Sequence, residues 1–188
     1  MSRYIFLAVD IFSGLCYIIE DFLCFYLGDY DMDFRFAEVD DAELLGKLRV
    51  EMRRERETLP APEDENAFLQ ANIDYFRNAL ADGSYIGIIA EKDGSVAANG
   101  GICLHIHPPS YGVPNGKSAC LLNMYTLPGF RGQGLAGKIL AALVEKAREM
   151  KCCKVFLNAS DMGKPLYVKF GFKDVANEMV FDLCDSRK

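Results

Sequence analysis

The sequence predicts an α/β (α+β) fold in which a mixed sheet is flanked by helices. Three observations predict it. Apolar residues recur at helical spacing in several stretches after residue 40. Apolar, β-rich runs bounded by glycine, proline and asparagine turns separate those stretches. The resulting order, βααβββαβαβ, is the alternation a layered sheet with covering helices requires.

Each element has its own signal. Asp33 to Ala37 is a short candidate strand. Asp40 stands as a helix cap with Glu43 three residues on, a capping box, and Leu44, Leu48 and Met52 share one face of the helix that follows. Pro60, Ala61 and Pro62 form a break. A second helix is expected from Glu65 to Ala81, with Leu69, Ile73, Phe76 and Leu80 inward and Asp82-Gly83 as its stop. Strands follow at Tyr85 to Ala90 and Val96 to His107, joined by the turn Lys92-Asp93-Gly94, and a third at Ala119 to Thr126. Leu135, Ile139, Leu143 and Ala147 make one stripe of a helix from Leu135 to Met150. Lys154 to Leu157 is a strand, Lys164 to Phe170 a short helix begun by Pro165 and stopped by Gly171, and Met179 to Leu183 a last strand.

Composition bounds the function. The 188 residues are about one domain, and 51% apolar content with a net charge of -6 excludes a disordered chain. Nucleic acid is not expected as a partner, because phosphate neutralisation needs a basic face. The one basic cluster, Arg49, Arg53, Arg54 and Arg56, is interleaved with Glu51, Glu55 and Glu57 and reads as a solvated helix face. The acidic surface favours a cationic partner such as an amine. Seven cysteines without a CxxC, and only two histidines, give no zinc spacing, so no metal is expected. The cysteines fall mostly in apolar runs and read as small buried hydrophobes in a reducing, cytoplasmic setting.

Residues 1–31 stand apart as an apolar extension. Asp10, Glu20 and Asp21 interrupt the stretch Tyr4 to Leu27, so no run reaches the roughly 18 residues of a spanning helix, and no stable membrane span is expected. Two readings stand for it. It is dispensable, with the domain running from 32 to 188, or it packs on that domain or across a homodimer.

The chemistry lies in two segments. In Asn123-Met-Tyr-Thr-Leu-Pro-Gly-Phe-Arg-Gly-Gln-Gly-Leu-Ala-Gly-Lys138 a strand runs through a glycine loop straight into a helix. Glycines allow positive φ and close ligand approach, and the first helical amides point outward at a site suited to phosphate oxygens. Arg131 adds a cation. There is no Gly-Lys-Ser/Thr ending and no GxGxxG. The second segment is Ser160-Asp-Met-Gly-Lys-Pro-Leu-Tyr-Val-Lys-Phe-Gly-Phe172.

Together the two segments resemble the GNAT N-acetyltransferase family. Arg131, Gly134 and Ala136 match its Arg/Gln-x-x-Gly-x-Gly/Ala loop, and Ser160 to Phe172 resembles its Asn-x-x-Ala-x-x-Leu-Tyr-x-Lys-x-Gly-Phe segment. The resemblance runs from about Met32 to Leu183. It implies a GNAT-like, largely antiparallel central sheet whose central strands splay apart, with acetyl-CoA as co-substrate between the strand ending at Thr126 and the one ending at Asn158. It implies that backbone near Met124 and Thr126 holds the pantetheine arm, and that Gly132, Gln133, Gly134, Leu135 and Ala136 hold the pyrophosphate. A small-molecule or protein amine would attack the thioester directly, and Tyr167 would protonate the departing thiolate. Ser160 stands where the family often has Asn, and Asn123 where many members have Glu. Asn cannot take up a proton, so no base is assigned, and Asn123 and Tyr125 are candidates for lining the acceptor pocket. Asn123 also leaves open a second reading, a catalytically weak acetyl-CoA sensor.

Overall fold

The computed structural model describes residues 32–56 and 64–175. The extension at 1–31, the break at Pro60 to Pro62 and the strand expected at Met179 to Leu183 lie outside the described residues. Two compact units divide the chain, one up to Leu157 and one from Asn158 onward.

The first unit is built on a five-stranded sheet in sequential order. Its strands are β1 (Asp33–Phe36), β2 (Tyr85–Lys92), β3 (Ser95–Ile106), β4 (Lys117–Thr126) and β5 (Lys154–Phe156). The pairings are antiparallel except β4 with β5, which is parallel. Asp93 and Gly94, at φ 51° and 74°, make the tight turn between β2 and β3.

Helices α1 (Ala42–Arg56) and α2 (Glu65–Ala81) cover one face. Leu45, Ile73, Phe76 and Ala79 close over Tyr85 and Ile89. The two helices approach closely at Gly46, where an added Cβ would lie 2.7 Å from Ile73. Helix α3 (Leu135–Glu149) covers the other face. Its Leu135, Ile139, Leu143 and Ala147 are all buried, the stripe expected from the sequence. Each large side chain so buried stabilises the fold by about 1.5–3 kcal/mol. Lys138 and Lys146 of α3 lie over the rings of Phe34 and Phe36 on β1, at 5.8 and 5.4 Å.

Three local expectations are corrected. The chain enters α1 through a short 3-10 turn, Val39–Asp41, so Asp40 with Glu43 is not the capping pair. Asp41 instead accepts from the Glu38 amide at 2.8 Å. Its carboxylate is also gripped by both terminal nitrogens of Arg35, at 2.7 and 2.8 Å, and Arg35 reaches Glu91 at 2.9 Å. Strand β5 stops at Phe156, one residue early, and Asn158 follows it without strand geometry. The cysteines are less buried than expected: Cys103, Cys120 and Cys152 are half-buried thiols and Cys153 is exposed, while Cys16, Cys24 and Cys184 lie outside the described residues.

In the second unit, α4 (Lys164–Phe170) carries Pro165 in its first turn and ends at Gly171, whose φ of 109° is a left-handed stop. Among the described residues no helix is long and apolar enough to cross a membrane.

Candidate active site

The site begins with a defect in β4. Asn99 pairs with Tyr125 and Gly101 with Leu122, so Gly100 alone opposes two residues, Asn123 and Met124. Asn123 takes φ 57°, which asparagine tolerates better than most residues. This β-bulge shifts every later side chain of the strand to the opposite face. Tyr125 thereby packs with Leu48 and Met52 under α1. Met124 is turned toward α3, above Gly100, where an added Cβ would collide with the Met124 sulfur and sit 2.8 Å from Ile139.

Among the described residues, β4 has a free edge past Cys120. Its pairing with β5 covers only Ser118 to Cys120. Among the described residues, Leu121 to Thr126 have no strand partner on that side, which is the splaying the sequence implies. Such an edge presents a row of backbone donors and acceptors to whatever lies alongside.

That edge leads into the glycine loop. After the turn Pro128–Phe130, Gly132 and Gly134 both adopt φ 79°. A Cβ at either position would meet nothing within 4 Å, so the backbone conformation selects glycine and the space above remains open. Helix α3 starts at Leu135. The amides of Gly137 and Lys138 turn back to the Gly134 carbonyl at 3.0 and 3.2 Å. The preceding amides, of Leu135 and Ala136, open the first turn, where donors have no partner within the helix. Gln133 is exposed between the two glycines.

Arg131 departs from the expected arrangement. Its Nε donates to the Thr126 carbonyl at 3.0 Å and its guanidinium to Glu55 at 2.5 Å, and it lies 5.9 Å from the centre of the Tyr125 ring. Glu55 also accepts from the Tyr125 hydroxyl at 2.8 Å. The last turn of α1 is thus tied to the start of the loop. Arg131 and the Tyr125 hydroxyl hold the Glu55 carboxyl below the usual range, and burial together with Glu55 pushes the Tyr125 hydroxyl well up.

A second polar group forms under the bulge. Arg49 of α1 donates to the Asn123 carboxamide oxygen. The Asn123 nitrogen donates to the Tyr85 hydroxyl at 3.4 Å. Tyr85 reaches Asn123 by lying across Gly101, where its ring occupies the place of a side chain. The Tyr75 hydroxyl and Cys103 sulfur lie 2.8 Å apart. Burial pushes the ionisation of Tyr75, Tyr85 and Cys103 up, and the charge of Arg49 opposes the rise in all three.

The second unit carries the remaining predicted residues. Tyr167 is half-buried, its ring edge-on to Phe172 at 5.8 Å. Gly163 is the N-cap of α4. The Ser160 hydroxyl and carbonyl accept from the Gly163 amide at 3.2 and 3.0 Å, closing the turn before the helix.

Asn123 and Tyr125 are both buried, at 4% and 6% exposure, and are held by Arg49 and Glu55. Arg49 and Glu55 were missed by the sequence reading, which took this arginine cluster for a solvated face. A signal was present: Leu45, Arg49 and Met52 are spaced four and three apart, on one helix face.

Comparison with known proteins agrees with this geometry. The model of the acetyltransferase (GNAT) family matches residues 29–172. A predicted acetyltransferase from Clostridium acetobutylicum, solved with acetyl-CoA, is 32% identical with a TM-score of 0.75, over 81% of this chain and 96% of that one. A GCN5-related N-acetyltransferase from Ralstonia eutropha is 29% identical with a TM-score of 0.70, over 81% of this chain and 98% of that one. A curated glucosamine 6-phosphate N-acetyltransferase from Trypanosoma brucei brucei is 38% identical over 56 residues, 30% of this chain and 38% of that relative's length. The family match spans most of the described sheet, the free edge of β4 and the glycine loop, and on that basis this chain belongs to the acetyltransferase (GNAT) family.

Proposed function

We propose that this acetyltransferase moves the acetyl group of acetyl-CoA directly onto an amine. One observation carries the reading: the free edge of β4 runs without interruption into the open loop at Gly132 and Gly134 and the first turn of α3. A pantetheine arm is a chain of amides and suits such an edge, and a pyrophosphate suits the amides beyond it. Met124 and Thr126 then serve the arm through their backbone, and Gly132 to Ala136 serve the pyrophosphate. Arg131 acts by bracing the loop against Thr126 and Glu55. Asn158 and Ser160 keep the cofactor contacts that the motif implies.

In the reaction the amine nitrogen bonds to the thioester carbon and the carbon–sulfur bond breaks. A backbone amide of β4 stabilises the oxyanion between these events. Tyr167, placed by its motif, gives its proton to the thiolate. The amine must arrive neutral to attack, and no side chain is assigned as its base. The sensor reading is not favoured, because the family and the well-covered structures are acetyltransferases.

The acceptor is taken to be a small or protein-borne amine rather than nucleic acid, with no metal in the reaction and a reducing, cytoplasmic setting consistent with half-buried thiols. Residues 32–188 are taken as the acetyltransferase domain, and residues 1–31 as an extension that either is dispensable or packs on that domain or across a homodimer. The deciding experiment measures CoA thiol release over a panel of amines. Release that depends on the amine is expected. Tight acetyl-CoA binding with no amine-dependent release would return the sensor reading.

A further inference from the structure

Glu55 belongs to neither of the two motif segments, yet β4 and the glycine loop both fasten to its carboxylate. It sits in the last turn of α1, one residue before the helix ends at Arg56. Its Oε1 accepts from the Tyr125 hydroxyl at 2.8 Å and its Oε2 from the Arg131 guanidinium at 2.5 Å. Each donor is itself fixed. The Tyr125 ring is buried against Leu48 and Met52, and the Arg131 Nε donates to the Thr126 carbonyl at 3.0 Å. The Arg131 and Glu55 side chains are 40% and 34% exposed, and an isolated ion pair so open to solvent would contribute little. This pair differs because its partners are already ordered by their other contacts. The loop beyond it needs an anchor. Gly132 and Gly134 stand at φ 79° with open space above them, and glycine has the widest backbone freedom, so the loop's own residues do little to hold it. A pyrophosphate that met a loose loop would lose affinity to the cost of ordering it. Paired with Arg131, the Glu55 carboxylate also presents little net charge to an approaching diphosphate.

From these contacts we propose that Glu55 is a positioning residue for acetyl-CoA: through Arg131 and Tyr125 it fixes the glycine loop against the end of β4 before the cofactor arrives, and so sets cofactor affinity. The inference rests on the acetyltransferase reading and deepens it. Glu55 takes no part in the chemical step, and its effect travels through Arg131.

The test uses the full chain, with CoA as the probe in a calorimetric titration and thiol release read on any amine that turns over. In E55A the Kd for CoA and the KM for acetyl-CoA should rise on the order of 10-fold, as loss of a charge-assisted brace that pre-orders a loop predicts. The kcat should stay within about two-fold, since no reacting atom loses a contact. E55Q keeps the shape and one acceptor oxygen without the charge, and should fall between E55A and wild type. The cycle with R131A separates a brace from a general loosening of α1. If Glu55 acts through Arg131, E55A should add little to the loss already caused by R131A, whereas independent effects would add in full. CoA binding in E55A equal to or tighter than wild type, full additivity with R131A, or a fall in kcat with KM unchanged overturns the proposal. Should E55A unfold, E55Q is carried through the same cycle, and wild-type affinity in E55Q then overturns it. The acetyltransferase reading fails separately, when the wild type binds CoA and no amine promotes thiol release.

Discussion

Two residues contrast a proposed chemical role with an architectural one. Tyr167 sits half-buried with its ring against Phe172, so the ring has a packing role whatever the hydroxyl does. Removing only the hydroxyl separates the two. Tyr167→Phe should lower kcat by on the order of 10- to 1000-fold where chemistry limits the rate, with acetyl-CoA affinity little changed. Unchanged kcat under those conditions takes Tyr167 out of the mechanism. Glu55 is the contrasting case. It gathers Tyr125 and Arg131 onto one carboxylate and acts through them, by holding the end of β4 and the loop in one arrangement.

Among the elements, β3 and β4 bear the functional geometry, and glycines make it possible. Gly101 is the gap across which Tyr85 reaches Asn123, and an added Cβ there would collide with the tyrosine ring and hydroxyl. Gly101→Ala should therefore destabilise the fold by about 1–3 kcal/mol, the range for overpacking a full core. It should also push Tyr85 off Asn123 and loosen the bulge. A chemical denaturation midpoint equal to wild type would show that Tyr85 moves aside without loss. The bulge matters equally to β4. Without the extra residue at Asn123, Tyr125 would face α3 and the Glu55 tie could not form.

Across the whole molecule, the first strand is joined to the helical face by Arg35, which binds Asp41 and Glu91 together. The Arg35 guanidinium holds the Asp41 carboxyl below its ordinary 3.8, against a smaller opposing effect of burial. A depressed carboxyl stabilises the folded state above the unfolded value and loses that contribution as pH falls through the folded one. Asp41→Asn should lower stability by about 1 kcal/mol near neutrality, a small value because Arg35 is 41% exposed and solvent screens the pair. The difference between the two proteins should shrink as pH falls below the ordinary carboxyl value and through the depressed one, as protonated Asp41 comes to resemble the variant. A denaturation series from pH 2 to 7 reads this, and a gap that persists in acid contradicts it. The extension is tested at the same scale. A chain that starts at Met32 should remain folded and keep the melting shift that acetyl-CoA produces. Aggregation or loss of that shift would place residues 1–31 inside the fold.

The sequence by itself determined the order of the described elements, the glycine loop and the family. These depend on local signals: the stripe through Leu135, Ile139, Leu143 and Ala147, the proline and glycine that bound α4, and glycines at the two positions where φ is 79°. Periodicity and turn chemistry act over a few residues, so they can be read in one dimension. The tertiary structure alone decided the bulge, and with it the roles of Asn123, Tyr125, Arg49 and Glu55. A bulge is a mismatch between two strands, and nothing within Asn123-Met-Tyr-Thr126 announces that Gly100 will face two residues. Arg49 read as surface because it was grouped with the alternating charges from Glu51 to Glu57 that follow it. It became part of the site because Asn123, 74 residues later, is turned to meet it.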